Sequence, residues 1–327
     1  MRFRVGFGLT FLLIVAATSI LVAVVVFILG SDPYKGLPPT LRPLEIVRLL
    51  PDQHRDKLLF SVHNTQATTC SRAALASMGL WAPARLEIAA PSSFLEELTA
   101  IASSPAFYRL GSDTIFVQKD MDQSIRHELV HALHDQYAEL ARKSQELTTS
   151  DDRFALRAIM EGVALQLTKR SPIHSTFTTD LSTNVLTLAY SYGPRYAHAR
   201  AGFDPHTLFA LEIPSSYDVL FGETTKQVQL PEPTLNAGET IECTDRLGAL
   251  AILTILMQLG MSSSEAMRIA NSWRGDRLDI IVSEAARRYV WTVAFGWQHA
   301  ADLWTYGPGV VLPLTSPTTT FALYIPN

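Results

Sequence analysis

The feature that most constrains this chain lies at its start. After Arg2 and Arg4, residues Val5 to Leu29 run without a single charge. A run of ~20 or more apolar residues can cross the ~30 Å hydrocarbon layer of a membrane, and it does so as a helix because only a helix satisfies its own backbone there. A cleaved signal peptide usually has a shorter apolar core of about 7–15 residues and a small-residue cleavage site just after it. No clear A-x-A follows Leu29. Residues 1–29 are therefore expected to form an uncleaved signal anchor, one transmembrane helix, with a cleaved signal as the alternative. Arg2 and Arg4 favour a cytoplasmic N-terminus, although Lys35 and Arg42 on the other side weaken the bias. The remaining chain is expected to sit outside the cell membrane as a single-pass, extracytoplasmic domain.

Gly30 to Pro43 holds four prolines and two glycines, which reads as an extended stalk. Residues 30–57 are expected to be a Pro-rich linker and residues 58–327 one globular domain. The chain of 327 residues is long enough for that domain to have a real core. Its net charge is −4 and no block of Lys or Arg stands out, so no nucleic-acid partner is expected. There are two cysteines, Cys70 and Cys243, both in the exported part. They can form one bridge there or remain two buried thiols. Neither has a CxxC partner, which argues against a cysteine-based zinc site.

Along the domain, Ala84–Ala90 and Asp113–Gln118 read as strands, with a short helix between them. A long helix is expected from Asp122 to Gln145, since Ile125, Leu129, Leu133, Tyr137 and Leu140 recur at three or four. A second follows from Asp151 to Arg170. Leu247–Gly260 reads as a buried helix, and a further helix follows, capped by Ser263 or Ser264. Residues 287–295 and 318–325 read as strands. Helices and strands mix without regular βαβ alternation, so the expected class is α+β.

The first long helix spells "HELVH" from His127 to His131. Residues i and i+4 share a helix face, so His127 and His131 project side by side. Zn²⁺ suits neutral imidazole and takes four ligands in a tetrahedron. Glu128 lies beside the first histidine, where a carboxylate can take a proton from a zinc-activated water. The intervening Leu129 and Val130 are apolar, as a buried site helix requires. A catalytic zinc also needs a third protein ligand. Glu161 is the candidate. It lies on the next helix, its neighbours Ile159, Met160, Val163 and Ala164 are apolar, and a carboxylate in such surroundings needs a partner. Gly162 would leave the contact between the two helices uncrowded. His134 is about 10 Å along the axis from His127, at ~1.5 Å per residue, and reads as a rim or packing residue. Asp135 could orient an imidazole or a neighbouring backbone, or equally be a solvated surface group.

HELVH followed by Glu161-Gly162 on the next helix resembles the gluzincin branch of zinc peptidases. More narrowly, "HELVHALHDQ", "EGVA", "YSYGPRY" and "SWRGDR" stand in the order found in a group of bacterial exported, membrane-anchored or lipoprotein gluzincin-like proteins. The resemblance covers about Ala84 to Trp304. It implies a zincin-like domain with a small mixed sheet, Zn²⁺ held by His127, His131 and Glu161, and Glu128 as general base in peptide hydrolysis. Tyr190 matches the tyrosine of the third motif and is implied as a helper at the oxyanion. From the residues alone, Tyr190 and Tyr192 read equally as core aromatics on a strand before Gly193 and Pro194 turn the chain. Arg277 reads as a cleft residue or, more plainly, as an ion-pair partner of Asp276 or another acid. His198 and His206 have no spacing that recommends them. The strand Asp113–Gln118 would lie near the active helix and could pair with an extended substrate.

The chain departs from the group's pattern at three places: His134 where glutamine is usual, Val163 where aspartate is usual, and Leu165 where thermolysin-like members carry a histidine-orienting aspartate. These departures raise a different expectation, a silent zincin-fold envelope protein that binds or braces a partner. Together the sequence leads to a membrane-anchored metallopeptidase acting on a peptide or protein, with residues 5–29 as its membrane contact.

Overall fold

The computed structural model describes residues 42–48, 68, 71, 74–76, 78, 80, 106–118, 122–172, 175–284, 286–296 and 319–324. The expected anchor at 1–29, most of the linker, the strand at 84–90 and the helix after it lie outside these residues. Among the described residues no helix is long and apolar enough to cross a membrane.

The class is α+β, with two small mixed sheets. The first holds β1 (Glu45–Arg48), β2 (Ala106–Arg109) and β3 (Thr114–Val117) in the order β1-β3-β2. β1 runs parallel to β3 and β2 antiparallel to it. β1 thus joins the folded unit from within the stretch assigned by sequence to the linker. β3 is paired on both edges, so it cannot take up an extended substrate as the sequence suggested. Its position is central because Ile115 and Val117 face the core with Leu129 and Ala132 of the next helix.

That helix, α1 (Asp122–Ala138), is shorter than expected. It ends where Glu139 adopts a left-handed φ of 54°, and α2 (Leu140–Glu146) restarts beyond it. Asp135 makes the break affordable by accepting from the Ala141 amide at 2.7 Å, one of the otherwise unpaired donors at the start of α2. The same carboxylate accepts from the Gly111 amide at 2.8 Å and the Tyr108 hydroxyl at 2.7 Å. Asp135 therefore orients neighbouring backbone, fastening the β2–β3 turn to α1 and α2.

α3 (Ser150–Leu167) starts at Thr149, whose side chain accepts from the Asp152 amide, and Asp151 and Asp152 in its first turn suit the positive end of the helix. One face of α3 presents Ile159, Val163, Ala164 and Leu167 to Val130 and Leu133 of α1. Another presents Phe154, Ala155 and Ala158 to the largest core. Beyond it come α4 (Leu181–Thr187), a π-helical turn (Leu188–Tyr192), α5 (Gly193–Ala201), α6 (Pro205–Phe209) and α7 (Ser216–Phe221). The second sheet, β4 (Thr240–Asp245), β5 (Trp273–Val282), β6 (Arg287–Phe295) and β7 (Thr319–Tyr324), keeps that order, with β7 parallel to β6. Between β4 and β5 lie α8 (Gly248–Gln258) and α9 (Ser263–Ala270). α8 is buried on every side from Gly248 to Leu256, as its apolar run, broken by Thr254, requires. α9 is capped by Ser262, one residue before the expected caps. Cys243 on β4 is disulfide-bonded. The chain's other cysteine, Cys70, lies outside the described residues.

The segment Leu188–Tyr196 is helical, which corrects the expected strand. Tyr favours strands only as far as packing lets it. Here Leu188 and Ala189 are fully buried in the helical core. Pro194 sits in the first turn of α5, where its missing N–H costs nothing, so it continues the helix and makes no turn.

Candidate metal centre

His127 and His131 project from one face of α1, as their i, i+4 spacing dictates, and both are nearly buried. Their Nε2 atoms lie 3.1 Å apart. Glu161 arrives from α3, and its Oε2 is 3.1 Å from Nε2 of His127 and 3.4 Å from Nε2 of His131. Three donor atoms from three side chains thus form one small triangle. For a tetrahedral zinc with bonds of ~2.0–2.1 Å, the ligand atoms should be ~3.3 Å apart. The residues fit such an ion. The Nδ1 atoms of both histidines have no hydrogen-bond partner among the described residues, so none of those residues' carboxylates orients either ring.

What brings Glu161 here is a contact one residue further on. Gly162 packs against Gly193 so closely that a Cβ on Gly162 would come within 2.5 Å of the Gly193 carbonyl. Gly193 in turn packs onto the Ala158 backbone. Gly162 therefore clears α3 for the start of α5, whereas the sequence suggested a cleared contact with the HELVH helix. The two glycines also explain why two separate motifs carry them. Tyr190 is three residues, about one turn, before Gly193, close enough to Glu161 for that carboxylate to act on its hydroxyl. Tyr190 stands in the π-helical turn, a widened helix that is frequent at functional sites.

Glu128 is buried beside the triangle, and its carboxylate comes within 4.8 Å of both imidazoles. One of its oxygens, Oε2, accepts from the Tyr108 amide of β2 at 2.7 Å. Glu161 therefore fits the ligand set better: a single oxygen reaches both rings, whereas Glu128 is tied at one oxygen to the strand.

The electrostatics follow from burial and charge. Burial raises Glu128 above the ordinary carboxylate range, although both histidines pull the other way. Burial also acts against Glu161 ionising, but His131 and His127 outweigh it and hold Glu161 well below its ordinary value. For His131, burial opposes the charged ring, and the Glu161 carboxylate overrides it, so the net shift is upward. Burial, with Glu161 adding to it, pushes Tyr190 well above the usual phenol range. Tyr190 is therefore a hydrogen-bond donor at any neutral pH.

The other candidates lie elsewhere. His134 is fully buried, stacks on Phe209 at 5.4 Å between ring centroids, and is pushed down to about 3 by burial, then by His131 and Lys143. It is a packing residue. Val163 and Leu165, where acids are usual, are buried apolar residues, and Val163 packs against α1. Tyr192 packs on Phe177 at 5.2 Å, in the main core. Arg277 pairs with Asp279 at 2.8 Å and Glu232 at 3.5 Å. Asp276 instead accepts from the Leu247 and Gly248 amides and from the Trp273 and Trp291 indoles. The "SWRGDR" motif therefore anchors the start of α8 and takes no part in the triangle. His198 bonds Gln166 at 2.9 Å, and His206 lies on α6.

Sequence reasoning missed Arg157. It lies four residues before Glu161 on α3, hence on the same face. It is close enough to Tyr190 and His131 to act on the charge of both. The i−4 spacing from Glu161 was the available signal. Compared with protein-family models, with curated proteins and with solved structures, the chain matches none of them.

Proposed function

We propose that this protein is a zinc-dependent peptidase of gluzincin type with a zincin-like domain, held at the cell membrane by residues 5–29 with its catalytic domain outside. The observation that carries the reading is the triangle of His127, His131 and Glu161, whose edges of 3.1, 3.1 and 3.4 Å suit zinc ligands. These three side chains would hold the ion. Bound there, zinc supplies Lewis acidity, polarising a carbonyl and lowering the pKa of water to about 7. Glu128 accepts the proton of the attacking water and returns it to the leaving amine nitrogen. Burial raises its proton affinity above that of an ordinary carboxylate, which favours its taking up a proton. The Tyr108 amide fixes the direction of its carboxylate. Tyr190 keeps its proton and offers a hydrogen bond where negative charge develops on the substrate oxygen.

A second reading, a silent metal-holding scaffold, draws on two observations. Among the described residues no carboxylate supports either imidazole at Nδ1, and Val163 and Leu165 are committed to packing. Such supporting groups are typically worth ~10–100-fold in metal affinity or activity. Glu128 weighs against this reading, because beyond its bond to the Tyr108 amide a silent site has no use for a buried carboxylate beside the ligands.

The test is Glu128→Gln. The amide is nearly isosteric and cannot accept the proton. Hydrolysis of a peptide library should fall by ~10² to 10⁴ with zinc content unchanged. Equal cleavage by wild type and variant refutes the proposed role of Glu128. No cleavage by the zinc-loaded wild type favours the scaffold.

A further inference from the structure

Arg157 is a charged group at this site for which the peptide-hydrolysis chemistry above has no use. Its side chain is part-buried and its Nε is buried with no hydrogen-bond partner among the described residues. Three other part-buried arginines are ion-paired: Arg246 with Asp151 at 3.3 Å, Arg277 with Asp279 at 2.8 Å and Arg288 with Glu239 at 2.7 Å. Among the described residues Arg157 makes no such ion pair. A guanidinium taken partly out of water without a partner is costly, and its planar fork matches a carboxylate in two-point geometry. It shares a helix face with Glu161, one turn away, and its charge reaches both Tyr190 and His131.

We propose that Arg157 is a specificity residue that takes a carboxylate of the substrate placed next to the scissile bond. The proposal rests on the peptidase reading of the same site and deepens it by naming the substrate class: peptides that carry a negative charge beside the cleaved bond. That charge has two sources. It is either the free C-terminal carboxylate, which makes the enzyme an exopeptidase, or an Asp or Glu side chain, which makes it an acid-directed endopeptidase. In either case Arg157 acts by binding and orienting, and the proton stays with Glu128.

The experiment is a binding titration on the zinc-loaded full chain carrying Glu128→Gln, so that nothing turns over. Three probes are compared by calorimetry: N-acetyl-Ala-Ala with a free carboxylate, its amide, and N-acetyl-Glu-Ala amide. At least one carboxylate probe should bind ~10-fold or more tighter than the plain amide, the worth of a charge-assisted hydrogen bond. Which one does so identifies the source. Adding Arg157→Gln should erase the difference, and Arg157→Lys, which keeps the charge without the fork, should restore part of it. Equal binding of all three, or no binding of any, overturns the proposal. So does a preference that survives Arg157→Gln, since that is carboxylate held by zinc alone. A preference lost with Arg157→Gln, in a chain whose wild type cleaves nothing, upholds the carboxylate site while the peptidase reading fails.

Discussion

Two buried polar clusters share helix α3 and are built in opposite ways. At its N-terminal end, Asp245 accepts from the Ser150 amide and hydroxyl, the Thr68 hydroxyl and the Arg246 amide, at 2.6 to 2.8 Å. Asp276 accepts from two amides and two indoles, and Asp151 takes the Ser216 amide and pairs with Arg246. Nearly every carboxylate oxygen there meets a donor from the protein itself, and the donors are mainly helix starts. Three turns on, around Glu161, the polar atoms crowd one another. Two Nε2 atoms and a carboxylate oxygen converge, and among the described residues the two Nδ1 atoms and the Arg157 Nε lack hydrogen-bond partners. A cluster that satisfies itself holds the fold together. A cluster that leaves converging donor atoms and an unpaired cation is arranged for something that is not part of the chain.

The sharpest way to break the comparison is to remove one carboxylate from each cluster in the metal-free protein. Asp276→Ala should cost at least ~3 kcal/mol in urea unfolding, because it strands several buried donors at ~1–3 kcal/mol each. Glu161→Gln should cost under ~1.5 kcal/mol, the net worth of about one hydrogen bond. Equal losses would mean that the triangle, too, is structural.

Gly162→Ala tests the link between the two motifs. Its Cβ would press on the Gly193 carbonyl, and overpacking of this kind typically costs ~1–3 kcal/mol. Because the displaced elements carry Glu161 and Tyr190, zinc affinity should fall along with stability. A variant that loses stability and keeps full affinity would separate the glycine contact from the site.

A further test concerns pH at the self-satisfied cluster. Burial pushes Asp151 up to about 7, against the pull of Arg246, whereas an unfolded aspartate titrates near ~3.9. Between those values the folded chain holds a proton that the unfolded chain does not, so this group's contribution makes stability fall as pH rises from ~4 to ~7, by up to ~1.4 kcal/mol per pH unit. Asp151→Asn should remove that slope in melts at pH 5, 6 and 7. Parallel slopes in the two proteins would show that Arg246 keeps Asp151 ionised throughout.

The legible parts of this molecule were those that depend on short spacings. The i, i+4 pair His127 and His131, with Glu128 beside the first, could be placed on one helix before any coordinates, and the apolar neighbours of Glu161 marked it as a carboxylate in need of a partner. The buried course of α8 followed from its apolar run. The illegible parts depend on distant pairings. Asp245 meets Ser150 across 95 positions, and nothing local in either residue announces it. Tyr190 was misread as a strand residue because local β-propensity was outweighed by packing of Leu188 and Ala189 into a helical core. The break at Glu139 escaped notice because the apolar period runs through it to Leu140, while its cause, Asp135 reaching the Ala141 amide, is a side-chain contact. The substrate strand was assigned to β3, whose two neighbours in the sheet lie far apart in sequence.

The central claim is that His127, His131 and Glu161 together hold one zinc ion. The most direct measurement is metal content by mass spectrometry on the purified full chain after zinc loading and dialysis, beside His131→Ala and Glu161→Gln. The account predicts about one zinc per wild-type chain and a marked loss in both variants, with folding intact by circular dichroism. Full zinc content in Glu161→Gln would remove Glu161 from the ligand set, and a wild-type chain that retains no zinc would contradict the account outright.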